Sequence, residues 1–277
     1  MWKSVRSTNL LFNKDTGVET LSYVSPILHR EVQVDVFLPP RYLMGAGRYP
    51  VLYLNDGQDM EGIHLRAILD RMYGGRNLQR MIVVAIHAGE RIQEYGTAGA
   101  PDYKERGSKS AQYQQFILTE LMPFINGHYH TRTGVQYTAF AGFSLGGLAA
   151  FDMVWTHPQV FGAAGAFSGS FWWRSKAYED GYDDYNDRIM QRRVRETEGG
   201  RDFRCWLQTG TDDETDDRNG NGVIDSIDDT LDLIAELEQK GYQRNRDIRY
   251  VEVQGGRHDL PTWAGIMPDF LEWLYPA

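Results

Sequence analysis

The sequence predicts an α/β fold: a doubly wound, mostly parallel sheet with antiparallel N-terminal strands. Three observations carry this. Short, continuous apolar runs at 49–54 and 81–86 read as central strands covered on both faces, and further strands are expected at 135–141, 160–167, 203–208 and 248–253. Turns and polar or helix-like stretches separate them, which is βαβ alternation. Residues 32–38 instead alternate apolar with polar and stop at Pro39-Pro40, the mark of an antiparallel strand with one solvated face.

The elements follow in order. After the strand at 32–38 come the two central runs at 49–54 and 81–86. Residues 112–130 read as a helix, with Phe116, Leu118, Leu121, Phe124 and Ile125 as its apolar positions. The strand at 135–141 leads through a glycine-rich turn into a helix over 148–157, stopped by His157-Pro158. A strand at 160–167 precedes a polar, aromatic-rich stretch, 168–200, expected to run over the top of the sheet as a lid or excursion. The last two strands are separated by an amphipathic helix at 231–240 that ends at Gly241. Residues 261–274 make the final helix. The expectation is one domain over 1–277.

Composition narrows the function. The chain has 277 residues, 42% hydrophobic and 24% charged, enough for one sizeable core. No run is long enough to span a bilayer, and residues 1–6 lack the apolar core of a secretory signal. Cytoplasmic is the default reading, with periplasmic or secreted left open. Of the net charge of −9, residues 211–232 hold nine Asp/Glu and one Arg, a net of −8. The remaining surface is nearly balanced, which argues against nucleic acid as a partner. Cys205 is the single cysteine, so an intrachain disulfide is excluded. Its apolar run makes it a buried thiol and not a nucleophile.

The glycine-rich turn is Gly142-Phe143-Ser144-Leu145-Gly146-Gly147. A Gly-x-Ser-x-Gly between a strand and a helix lifts a strained serine hydroxyl out of the sheet, and the flanking glycines admit close backbone approach. In that context it suggests a serine hydrolase of the α/β-hydrolase type. Such a serine needs a base and an acid to orient the base, in chain order Ser, Asp/Glu, His. Of seven histidines, five precede Ser144. His157 ends the helix that Ser144 begins, about 20 Å away at 1.5 Å per residue. His258 remains, on the glycine-rich stretch after the last strand. The acid should follow the preceding strand, where Asp212, Asp213 and Glu214 compete; Asp213, three residues after Gly210, is the first choice and Asp212 the next. Two amides should receive the oxyanion: Leu145 N–H, directly after the nucleophile, and Gln58 N–H, in the loop 55–59 after the first central strand. Asp56 would be an awkward neighbour for an oxyanion unless it turns away or tunes the site by hydrogen bonding.

With these residues the chain resembles the putative-esterase family of α/β-hydrolases, which includes enterochelin esterase, S-formylglutathione hydrolase, feruloyl esterase and mycolyltransferase relatives. The resemblance covers about 49–274. It rests on 49–54 with Asp56-Gly57, on 83–86 followed by Arg91 and Glu94-Tyr95, on 141–147, and on Phe161-Gly162. It also rests on Phe167-Ser168-Gly169-Ser170-Phe171-Trp172-Trp173, on 210–213 and on Gly256-Arg257-His258. It implies Ser144 as nucleophile, His258 as base and Asp213 as acid. Two departures stand out: Asp56-Gly57 replaces a frequent His-Gly, and Gly96-Thr97 follows Glu94-Tyr95 where relatives often carry a proline.

Residues 217–228 read Asp-Arg-Asn-Gly-Asn-Gly-Val-Ile-Asp-Ser-Ile-Asp. This fits a single EF-hand-type, dockerin-like loop. Asp217, Asn219 and Asn221 take positions 1, 3 and 5, Gly222 position 6, the Val223 carbonyl position 7, Asp225 position 9 and Asp228 position 12. A structural Ca²⁺ is expected there; the bland reading is a solvated acidic turn. No organic cofactor is expected.

Phe171, Trp172 and Trp173 follow a strand end, where they would wall an ester pocket or pack in the core. The expected activity is a serine carboxylesterase acting on a small-molecule ester, short-chain or aryl. Siderophore, feruloyl or sugar-ester hydrolysis, thioester hydrolysis and acyl transfer stay open within the fold. Arg91, Arg174 and Arg257 would serve an anionic siderophore if they converged. A rival of another class is an inactive, calcium-dependent binding module.

Overall fold

The computed structural model describes residues 1–7, 14–44 and 47–277. Its strands are β1 (Lys3–Ser7), β2 (Gly17–Ser25), β3 (Arg30–Leu38), β4 (Val51–Asn55), β5 (Ile82–Ile86), β6 (Thr138–Phe143), β7 (Ala163–Phe167), β8 (Arg204–Asp212) and β9 (Ile248–Arg257). They form one sheet in the order β1-β2-β3-β5-β4-β6-β7-β8-β9. The first four pair antiparallel, through β3 with β5, and the remainder parallel. The predicted doubly wound sheet with an antiparallel start is what forms.

The helices are α1 (Leu65–Gly75), α2 (Arg91–Glu94), α3 (Ser110–Phe116), α4 (Met122–His128), α5 (Leu145–Thr156), α6 (Asp184–Asp187), α7 (Ile189–Glu196), α8 (Asp225–Gln239) and α9 (Leu260–Leu274). A π-helical stretch, Ile117–Leu121, joins α3 to α4. Strand periodicity divides the core in two. On β4 and β5, Val51, Tyr53, Ile82, Val84 and Ile86 face α3, α4, α5, α7 and α8. Leu52, Leu54, Val83 and Ala85 face α1 and α9. Every residue of β4, β5, β6 and β7 is buried, which is why these strands read as unbroken apolar runs. Cys205 is fully buried, as expected. Among the described residues no helix is long and apolar enough to cross a membrane.

Several boundaries move. Residues Val135–Tyr137 form a 3₁₀ turn, so the strand that leads to Ser144 starts at Thr138. The excursion at 168–200 contains two short helices, α6 and α7. Helix α8 begins at Asp225, well before the apolar stripe at Leu231 that announced it, because Glu214 Oε1 accepts the Ser226 N–H at 2.6 Å and satisfies an amide of its first turn. The glycine stretch before His258 is not a loop: β9 stays paired with β8 as far as Arg257 opposite Asp212, across a register shift between Gly210 and Asp212.

Candidate active site

The site is assembled at the carboxyl ends of the parallel strands, where ligands of such sheets bind. β6 ends at Phe143, paired with Phe167, so Ser144 and Ser168 emerge next to each other. Ser144 has φ 54° and ψ −123°, a strained conformation for a residue with a Cβ. Its amide donates to Phe167 O at 2.8 Å. A Cβ on Gly142 would overlap the Gly146 carbonyl, and Asn55 Nδ2 donates to that same carbonyl at 2.8 Å. The elbow is thus held from β4, β6 and β7 together. Leu145 opens α5.

Asp213 and His258 directly follow the ladder pair Asp212–Arg257 of β8 and β9, so parallel pairing delivers them side by side. The three competing carboxylates have separate fates. Asp212 is exposed. Glu214 caps α8. Asp213 turns inward, where its Oδ2 accepts Gly210 N–H at 3.0 Å. Burial raises the Asp213 carboxyl above its ordinary range, against the lowering pull of Gly210 N–H, the Ser168 hydroxyl and His258. Asp213 Oδ1 is buried and, among the described residues, has no hydrogen-bond partner.

The His258 imidazole is open to solvent on one side and packs edge-on to Trp263 on the other, with centroids 5.2 Å apart. Burial lowers its pKa; Asp213 pulls it up, and Arg91 adds to the lowering. Among the described residues, Ser144 Oγ has one hydrogen-bonding neighbour, Ser170 Oγ at 3.4 Å. Asp213 and His258 thus stand side by side at the ends of β8 and β9, Ser144 stands at the end of β6, and no hydrogen bond among the described residues joins the three.

The second turn of the site follows β4. Asp56 takes a left-handed conformation (φ 60°, ψ 47°) and starts the 3₁₀ turn Gly57–Asp59. The amides of Gln58 and Leu145 have no acceptor among the described residues. The Gln58 side chain bridges its surroundings: Nε2 donates to Asp56 Oδ1 at 3.1 Å and Oε1 accepts Ala88 N–H at 3.0 Å. A cavity of about 610 Å³ flanks this turn, between α1 and β3, lined by Gln58, Glu61, His64, His87 and Asp35 among others.

The expected aromatic wall is mostly core. Phe171 and Trp173 are 1% and 0% exposed; Phe171 packs edge-on against Phe151, and Trp173 lies against Gly96 and Gly107. Folding the excursion back onto α5 buries these rings and leaves only Trp172 part-exposed. Arg174 also turns away from the site, stacking on Tyr103 and Tyr178 at 4.8 and 4.0 Å. Sequence reasoning quoted Ser168 and Ser170 only within the family resemblance and gave them no role, although both lie in the Ser-Gly-Ser that follows β7. It also missed the contact of Arg91 with Asp56, which depends on β4 and β5 being neighbours.

The 217–228 loop is built mainly from its own polar groups. Asp217 Oδ1 accepts Gly220 N–H at 2.8 Å and Asn221 N–H at 3.1 Å, and its Oδ2 accepts Gly222 N–H at 2.9 Å. Asn221 Oδ1 accepts Val223 N–H at 2.7 Å. Asp228 Oδ2 accepts the side-chain amides of Asn219 and Asn221 at 3.0 and 2.8 Å. Asp225 is paired with Arg218 at 3.3 Å. Arg218 also reaches Asp184 and Asp229, which ties the loop to the excursion. Among the described residues no group of three or more His, Cys, Asp or Glu side chains is placed to hold a metal; half of this loop's expected oxygens are asparagine or backbone.

Residues 25–274 match the family model described as "Putative esterase". The chain is 26% identical over 146 residues to the uncharacterized protein YbbA of Bacillus subtilis, covering 51% of this chain and 58% of that one. It superposes on the enterobactin esterase FES of Shigella flexneri with a TM-score of 0.72 at 20% identity, covering 93% and 59% of the two chains. A solved ferulic acid esterase gives 0.72 at 22% identity, covering 95% and 98%. The two superpositions speak for the fold. The matched chain spans somewhat more than half the length of YbbA and of the enterobactin esterase.

Proposed function

The chain belongs to the putative-esterase family, and from that premise we propose that it is a serine carboxylesterase working through an acyl-enzyme. The observation that carries this is the joint emergence of Ser144, Asp213 and His258 from the ends of β6, β8 and β9. His258 takes the proton of Ser144 as the hydroxyl attacks an ester carbonyl. The N–H groups of Leu145 and Gln58 receive the developing oxyanion, each worth about 10²–10³-fold in rate. His258 then protonates the leaving alcohol, and water releases the acyl group by the reverse sequence. Asp213, with Oδ1 still free to accept, orients the imidazole. The substrate class is a short-chain or aryl ester, with Trp172 as the aromatic contact.

We also propose a structural Ca²⁺ in the 217–228 loop. The support is the ligand spacing together with a loop already curled around Asp217. Turning the Asn219 and Asn221 amides would exchange the N–H contacts to Asp228 for oxygens aimed inward. The ion would offset the local acidity and steady the segment after Asp213.

The test is p-nitrophenyl ester hydrolysis across acyl lengths. Wild type should turn over short chains, and Ser144→Ala should lose about 10⁴–10⁶-fold in kcat with an unchanged melting temperature. A folded wild type that neither hydrolyses any length nor reacts with a fluorophosphonate would instead leave the binding-module reading.

A further inference from the structure

The turn expected to hold an oxyanion carries a buried carboxylate. Asp56 is 1% exposed, and it lies against the nucleophile's helix: a Cβ on Gly146 would sit 2.7 Å from Asp56 Oδ2. An unpaired carboxylate there would be costly to desolvate. It would also oppose the second negative charge that forms during acyl transfer.

Arg91 meets both problems. Its Nε donates to Asp56 Oδ1 at 2.8 Å and its Nη2 to Asp56 Oδ2 at 2.9 Å, a two-pronged contact. The same Nη2 donates to the Phe143 carbonyl at 3.3 Å, immediately before the nucleophile. The guanidinium lies over the Tyr95 ring at 5.3 Å, and the Tyr95 hydroxyl accepts the Asp56 N–H at 3.1 Å. One cation thus touches the turns after β4 and β6 at once, while its side chain keeps 38% exposure.

We propose that Arg91 is a positioning residue of the esterase site: it neutralises Asp56 and, by bridging Asp56 to Phe143, holds the oxyanion turn in register with Ser144. This rests on the esterase reading above. Among the described residues, no other arginine is paired with a carboxylate of these two turns. The Arg91–Asp56 pair gives the Asp-Gly of this chain a requirement that a His-Gly at the same place would not have.

The experiment compares Arg91→Gln, Arg91→Lys and the double variant Asp56→Asn/Arg91→Gln with wild type. Arg91→Gln should lower kcat about 100-fold, the scale of a lost oxyanion contact, with KM within about threefold. Arg91→Lys keeps the charge and loses the fork, so its kcat should fall between wild type and Arg91→Gln; it also serves if the glutamine variant does not fold. The double variant has no buried charge to neutralise, and its kcat should recover at least about tenfold over Arg91→Gln.

A substrate-free readout follows the His258 imidazole by NMR. It faces Asp213 and Asp259 as negative charges, Arg91 as the positive one, and the Trp263 ring. Its titration should move to higher pH in Arg91→Gln and return toward wild type in the double variant. Wild-type kcat in Arg91→Gln, a double variant no better than Arg91→Gln, or an unmoved titration would overturn the proposal. A wild type without Ser144-dependent turnover would sink the esterase reading instead, and the titration would still judge the charge pair.

Discussion

The Ser144 turn is held from outside itself. Phe167 takes its amide, Asn55 reaches Gly146 from β4, and Arg91 reaches Phe143 from the turn after β5. Arg218 anchors the base of the 217–228 loop to Asp184 and Asp229, but the loop's exposed tip from Asn219 to Gly222 is held from within, by Asp217, Asn221 and Asp228 bonding to their neighbours. A turn clamped by three buried strands keeps its strained geometry as long as the sheet is folded. A loop of exposed local hydrogen bonds has little net energy invested in one arrangement. The first is therefore suited to fixed positioning and the second to rearranging around a ligand.

That contrast can be broken most sharply at the acid. If the end of β8 selects the residue, Asp213→Asn should cost about 10⁴-fold in kcat, while Asp212→Asn, exposed on the ladder, should stay within about threefold. Equal losses in the two variants would show that the strand end does not choose between them.

A smaller effect is expected at the loop. Removing Ca²⁺ with a chelator should lower the melting temperature on the order of 5–10 °C, as for a site about 100-fold saturated. The kcat should fall only severalfold, because Asp213 is set by the sheet. Asp217→Ala should start at the lowered temperature and ignore chelator. A wild-type melting curve unmoved by chelator would return the loop to a solvated acidic turn.

The smallest effect is the position of a titration. His258 must be neutral to act as base. Burial lowers its pKa and Arg91 adds to this, while Asp213 acts in the opposite sense. A lowered pKa keeps the imidazole neutral to more acid pH. The acid limb of kcat/KM should therefore lie below the ordinary histidine value of about 6.5. Activity should persist through that pH and fall only below it. A limb above 6.5 would mean that Asp213 outweighs burial.

Much of this architecture was legible because the central strands are covered on both faces and spell themselves as apolar runs. The candidates Ser144, Asp213 and His258 could be named because chain order and strand ends leave a serine hydrolase few choices. What stayed illegible depends on neighbours far away in the chain. β1 and β2 carry no strong periodicity of their own and are recruited by pairing with each other and with β3. The glycines before His258 suggested a loop, yet β8 keeps them in the ladder. Phe171 and Trp173 could have walled a pocket or packed in the core, and it is the folding of the excursion that turns them inward. The Arg91–Asp56 contact spans two turns that meet because β4 lies beside β5.

The ladder pair Asp212–Arg257 has one more consequence. Because it presents Asp213 and His258 together, the spacing of that pair does not depend on the length of the chain between them. That stretch can absorb foreign sequence, and the exposed tip around Gly220 is where an inserted peptide would be tolerated best. A sensor or affinity tag spliced there would leave Asp213 and His258 where they are, whereas a one-residue deletion inside β8 would move Asp213 to the wrong face of its strand.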